Sequence, residues 1–532
     1  MTFFASLVWA GLTTLALGEL YPPYYADLSW QPARSLSNWS NLTVETRTGT
    51  FIGMLNDTYP DVRQFLRVPY AQVRTKLAIK DQRVGDLRWL PPQKLANSSK
   101  RIDSTRFGPA CPQYVASGSS MWAEYAPTSL LLSIGEAPNQ GSTAWSSSED
   151  CLSLAVWTPA FANKTSKLLV ALFVTGGGGV TGGIEVPSQL PSNWVSNSQE
   201  HIVVTINYRV NIFGTLTETS LTLLDVRAAV EWVAENIRAF GGDPDNIMLW
   251  GQSQGAALTH LYTLAFPDDP RVAKFGVISQ PPSVTINLTE TADVYEDFHI
   301  VAKGLGCNYG DDAEAELECM RQVSWVQIEE YINRYNGTQS IAFSNYIPDE
   351  KYIFSNESAR YAAGRVARGP AIRSDASREQ ASTSESTTME VEGEWICTAY
   401  EDSIRRSSLG LETYRYEWAG NFSNISPVPY LGAFHWSDLL MIFGTYMTDA
   451  GNISVLEVAT SRTMQDHILA FLKNPSTVSS TVGWPAFNAT APSGGLILEF
   501  GNGTTVKNIT GDFLEAGCWD SSVPFPIYEP RK

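Results

Sequence analysis

The heptapeptide WGQSQGA (250–256) places Gly251, Ser253 and Gly255 in a G-x-S-x-G pattern. A short apolar run (246–250) precedes it and a helix-like run, GAALTHLYTLAF (255–266), follows. A serine hydroxyl becomes a useful nucleophile when a sharp strand-to-helix turn holds it clear of the backbone and a base takes its proton. The small residues flanking Ser253 let strand and helix approach closely, and the helix N-terminus aims partial positive charge at an oxygen forming there. The alternative is an ordinary serine between two glycines.

The base must come from His201, His260, His299, His435 or His467. His201 opens an apolar strand-like run. His260 lies within the helix after Ser253, and His299 and His467 sit in helix-like stretches. His435 stands late in the chain in PYLGAFHWSDLLMIFG, bracketed by Pro and Gly. On an α/β scaffold of this kind the acid and the histidine follow the serine in chain order, which favours His435. TGGGGVTGG (175–183), directly after a buried-strand pattern, has the character of a loop whose backbone N–H groups stabilise an oxyanion. A phosphate cradle is the rival reading, but no Gly-Lys-Ser/Thr ending or G-x-G-x-x-G helix opening is present.

The elements around these residues alternate. KLLVALFVTGGGG (167–179) and HIVVTINYRV (201–210) are continuous apolar runs, as expected of parallel strands buried on both faces. The stretch 221–240 has helical apolar spacing and ends at Gly241-Gly242. Residues 19–110 read as short β runs between turns, and the polar stretch 374–394 reads as a loop. The expected fold is therefore α/β, a large mostly parallel sheet with helices on both faces and a small N-terminal antiparallel part.

The chain has 532 residues, 43 % of them hydrophobic, enough for a large core, and a net charge of −18. Such acidity argues against nucleic acid as a partner, because phosphate neutralisation needs clustered Lys and Arg. The first 18 residues are apolar and end in small residues, the pattern of a secretory signal peptide. No later stretch is long and apolar enough to predict stable membrane insertion. Asn-x-Ser/Thr sequons recur from Asn38 to Asn508 and suggest a glycosylated, exported surface. Six cysteines (Cys111, Cys151, Cys307, Cys319, Cys397, Cys518) are an even set that spacing alone does not pair, and they lack zinc-site spacing. No metal or cofactor is expected.

Beyond these readings, the motif order resembles the type-B carboxylesterase/lipase family, which includes cholinesterases and secreted fungal lipases. FLRVPYAQ, LRWLPP, SEDCLSLAVWTP, INYRVNIFG, the long block ending in GQSQGA, and LGAFHWSDL follow in that family's order. The resemblance implies one α/β-hydrolase domain over 19–532. It also implies a Ser253–Glu379–His435 triad, with Glu379 matched through PAIRSDASREQ (370–380), where Ser374 and Gln380 replace two glycines. Asp375 and Glu385 are nearby rivals for the acid. The oxyanion hole would comprise the amides of Gly177, Gly178 and Gln254.

The same resemblance implies the disulfides Cys111–Cys151, Cys307–Cys319 and Cys397–Cys518, and the structural ion pairs Arg88–Glu149 and Arg209–Asp225. It makes 114–134 a lid or gorge segment. The sequence departs from the family at Gln252 (usually Glu), Gln254 (usually Ala), Thr175, Gly179 and Trp436. The expected activity is hydrolysis of small-molecule or lipid esters. A non-catalytic cholinesterase-like binding protein, or an acyltransferase or cyclase using the same triad, is the alternative.

Overall fold

Alternate residues of one strand serve two different cores, which is why its sequence is apolar throughout. In β4 (Leu168–Val174), Val170, Leu172 and Val174 join one buried cluster while Ala171 and Phe173 join the other. β6 (Gly242–Gln252) repeats the division, with Ile247 and Leu249 on one side and Met248 and Trp250 on the other. Helices cover both faces. α1 (Leu221–Asn236) and α2 (Gln254–Ala265) pack on the first, and α5 (Ser437–Phe443) and α6 (Val455–Lys473) on the second. The computed structural model describes residues 42–72, 88–113, 147–215, 220–279, 293–337, 341, 343, 346–379, 385–448 and 452–526. The expected signal peptide (1–18), the expected lid segment (114–134) and Gln380 lie outside them. Ser40–Lys532 form one compact unit.

The other strands are β1 (Met54–Leu55), β2 (Val62–Pro69), β3 (Ser153–Pro159), β5 (His201–Ile206), β7 (Val272–Ile278), β8 (Ala371–Ala376), β9 (Thr413–Trp418), β10 (Leu496–Phe500) and β11 (Val506–Thr510). Among the described residues they form an 11-stranded sheet in the order β11-β10-β9-β8-β7-β6-β4-β5-β3-β2-β1. The run from β10 to β5 is parallel, with antiparallel strands at both edges. A small three-stranded sheet (Thr43–Glu45, Thr50–Ile52, Arg101–Asp103) lies in the N-terminal part, its first pair antiparallel. The fold is that of the α/β-hydrolases.

From β4 the chain passes to β5 on one side, and β6 then joins β4 on the other. The order reverses there, and crevices at the carboxyl ends of such strands are where ligands bind in open α/β sheets. The glycine loop leaves β4, and Ser253 leaves β6, at this point. Phe173, Trp194, Trp250 and Phe443 pack ring against ring behind it, with centroids 4.6–6.4 Å apart. Truncating Trp250 in this cluster to Ala would cost about 3–5 kcal/mol.

Two expectations need correction. The stretch 374–394 is not one loop: Ser374–Ala376 complete β8, and α4 (Glu385–Ser408) begins within it. Tertiary context overrides the polar composition. β8 is paired on both sides, and α4 is tied down by the Cys397–Cys518 disulfide and a buried Arg373–Asp402 ion pair. The Asn424 sequon is not surface: its side chain is buried and donates to the Tyr446 carbonyl at 3.0 Å. All three disulfides have the pairing the resemblance implied. Arg88–Glu149 and Arg209–Asp225 form bidentate pairs.

Candidate active site

Ser253 has φ 56° and ψ −124°, a conformation that costs a non-glycine residue of order 1–3 kcal/mol and persists only where its surroundings impose it. The imposition is visible. A Cβ on Gly255 would lie 2.0 Å from the Val174 carbonyl oxygen, and one on Gly251 would lie 2.3 Å from the Gly255 carbonyl. Strand, turn and helix are thus in backbone contact, which only glycine permits. The Ser253 N–H donates to the Ile278 carbonyl at 3.0 Å, tying the turn to β7. Ser253 is the N-cap residue of α2, yet its hydroxyl caps nothing and has no hydrogen-bond partner among the described residues.

Glu379 and His435 meet because two loops zip together. The Arg378 N–H donates to the Ala433 carbonyl at 3.1 Å, and the His435 N–H to the Glu379 carbonyl at 3.3 Å. Trp436 then turns the chain with φ 64° into α5. In that frame His435 Nδ1 hydrogen-bonds Glu379 Oε2, while Glu379 Oε1 accepts the Ala376 N–H at 2.7 Å. Both carboxylate oxygens are occupied and the side chain is buried. The rival Asp375 remains within β8, in register with Glu417. Glu385 opens α4.

His435 Nε2, the nitrogen that faces away from Glu379, is 3.0 Å from the Gln252 side-chain amide. The Trp395 ring lies against the imidazole at 4.9 Å between centroids, and Trp436 packs edge-on at 5.7 Å. The Gln254 side-chain amide donates to the Tyr346 hydroxyl. The amides of Gly177, Gly178 and Gln254 have no acceptor among the described residues. The glycine loop is shaped by neighbours: Asn211 N–H donates to the Gly179 carbonyl at 2.6 Å, and Gln113 holds Gly182 from both its N–H and its carbonyl.

A second carboxyl, Asp438 in the first turn of α5, lies behind the pair. Burial pushes it up to about 6, opposed by the Tyr416 hydroxyl that donates to it and reinforced by the nearby Glu379 charge. The remaining histidines are engaged elsewhere. His260 bonds Glu357 at 3.1 Å, His299 bonds Glu316, His201 bonds Ser198, and His467 bonds the Thr463 carbonyl of its own helix. A nucleophile-type serine, a histidine oriented by a carboxylate and unpaired backbone amides together have the chemistry of acyl transfer.

The model of the Carboxylesterase family matches residues 40–387. The chain belongs to the carboxylesterase family. Among curated relatives, the chlorogenic acid esterase of Aspergillus niger is 36 % identical over 93 % of this chain and 97 % of its own. Secreted lipase 5 of Gibberella zeae is 32 % identical over 84 % and 88 %. The inactive carboxylesterase-like protein VdtD of Byssochlamys spectabilis is 29 % identical over 57 % and 51 %. Carboxylic-ester hydrolysis is the activity that the family and most of these relatives carry in their names.

Trp395, Tyr346 and Asp438 escaped the sequence reading. Asp438 lies three residues after His435, a spacing that could have raised it. Trp395 sits in a segment with no motif, and only the packing of α4 brings it to His435.

Proposed function

We propose that this carboxylesterase-family chain is a secreted serine carboxylic-ester hydrolase acting through Ser253, His435 and Glu379. The observation that carries the proposal is the positive-φ turn at Ser253, beside a histidine whose Nδ1 is held by a buried carboxylate. His435 takes the Ser253 proton as Oγ attacks the ester carbonyl. Glu379 orients the ring and stabilises the imidazolium. The amides of Gly177, Gly178 and Gln254 receive the oxyanion. His435 then protonates the departing alcohol, and water, deprotonated by the same histidine, hydrolyses the acyl-enzyme.

The likeness to a chlorogenic acid esterase over nearly both whole chains makes chlorogenic-acid-type esters the first substrates to try, with triacylglycerols second because of the lipase relative. Export is proposed from the apolar N-terminus, the sequons and the three disulfides, with 19–532 as a single mature domain. Among the described residues no helix is long and apolar enough to cross a membrane.

The test is hydrolysis of chlorogenic acid, short-chain p-nitrophenyl esters and a triacylglycerol by the wild type and by Ser253→Ala. Turnover of at least one ester, abolished in the variant, supports the proposal; equal rates in both contradict it. The non-catalytic reading gains some weight from the inactive relative and from the Gln252 contact on His435, and it predicts no turnover by either protein. An acyltransferase would show itself by product partitioning toward an added alcohol or amine.

A further inference from the structure

A neutral imidazole has one N–H and one lone pair. With Nδ1 facing the Glu379 carboxylate, the proton belongs on Nδ1 and the lone pair on Nε2. That lone pair faces the side-chain amide of Gln252 at 3.0 Å, and the amide nitrogen can only donate. Ser253, the very next residue, makes no bond to the ring. An sp² lone pair serves one donor at a time, so Gln252 and the Ser253 hydroxyl compete for it.

The contact is built rather than incidental. Gln252 is the last residue of β6, paired with Ile278 of β7, and is only 2 % exposed. Its carboxamide lies over Gly176, where a Cβ would sit 2.7 Å from Gln252 Oε1 and 3.0 Å from Ser253 Cβ. Any other residue at 176 would push the amide out of its place. The strand pairing and the missing Cβ together hold the donor at the base.

We infer that Gln252 is a positioning residue that caps the base, holding His435 Nε2 in the free enzyme and yielding it to Ser253 only when attack begins. This rests on the proposed Ser253–His435–Glu379 reading. Around the ring stand Glu379 from the loop after β8, Asp438 from α5, and the uncharged Trp395 from α4 and Trp436. The Arg378 guanidinium, next in sequence to Glu379, donates to the Tyr430 carbonyl. None of these charges changes when Gln252 is replaced. A donated hydrogen bond competes with any other proton, from solvent or from Ser253, for the Nε2 lone pair.

The test uses Gln252→Met, which keeps length without a donor, and Gln252→Glu, which replaces the amide with an acceptor. In Gln252→Met the acid limb of kcat/KM should move to higher pH. Fluorophosphonate labelling on the alkaline plateau should accelerate roughly two- to tenfold. In Gln252→Glu the acid limb should move further in the same direction. A Gln252→Met protein with wild-type limb and labelling rate overturns the cap. If that variant fails to fold by circular dichroism, an unmoved limb in Gln252→Glu overturns it instead. Failure of the hydrolase reading looks different: the wild type is then neither labelled nor active, like Ser253→Ala, and the cap falls with it.

Discussion

Glu379 and His435, 56 residues apart in sequence, are joined twice: by the His435 N–H on the Glu379 carbonyl, and by the Glu379 carboxylate on His435 Nδ1. The backbone contact sets the distance and the side-chain contact sets the tautomer. Glu379→Gln keeps the shape and removes the charge, so it should leave the fold intact by circular dichroism and lower kcat/KM by roughly 10²- to 10⁴-fold. Asp375→Asn should be far milder. The reverse ranking would move the acid to Asp375.

The elbow predicts a stability effect separate from chemistry. A Cβ at position 255 meets the Val174 carbonyl oxygen at 2.0 Å, an overlap that only backbone movement relieves. Gly255→Ala should lower the urea-unfolding free energy by about 1–3 kcal/mol, or prevent folding. Wild-type stability in this variant would mean that β4 and α2 are not in contact there.

Glu329, on α3 (Trp325–Arg334), is buried, and burial pushes its carboxyl up to about 8 from 4.5 while the Asn211 amide pulls the other way. The folded state therefore binds this proton more tightly than the unfolded chain does. The stabilisation is complete below pH 4.5 and is lost as pH rises toward 8. Glu329→Gln removes the titration, so its stability relative to wild type should climb by up to about 1.4 kcal/mol per pH unit across that window. Urea melts at several pH values test it; a constant difference would show that Glu329 titrates normally.

Glycan mapping of the protein expressed through a eukaryotic secretory pathway should find Asn424 unoccupied, since its amide is buried on the Tyr446 carbonyl, while the exposed Asn488 and Asn508 are open to modification. Occupancy at Asn424 would show that glycosylation precedes the packing of that loop.

Much of this architecture was legible because it is written locally. Continuous apolar runs marked the buried strands, and the glycines around Ser253 marked a turn that only small residues allow. Glu379 was singled out only through family resemblance, because it and His435 are brought together by cross-loop backbone bonds that leave no periodicity. The stretch 374–394 misled because sheet pairing and a disulfide hold a polar sequence in strand and helix. The sequence flagged Gln252 as unusual, but its partner on the far side of the site emerged only from the fold.

The central claim, that Ser253 is the nucleophile, is tested most directly by labelling the active protein with a fluorophosphonate and locating the adduct by peptide mass spectrometry. The account predicts one adduct per chain, on the peptide containing Ser253, and none in Ser253→Ala. An adduct on another residue, or undiminished labelling of Ser253→Ala, would contradict it.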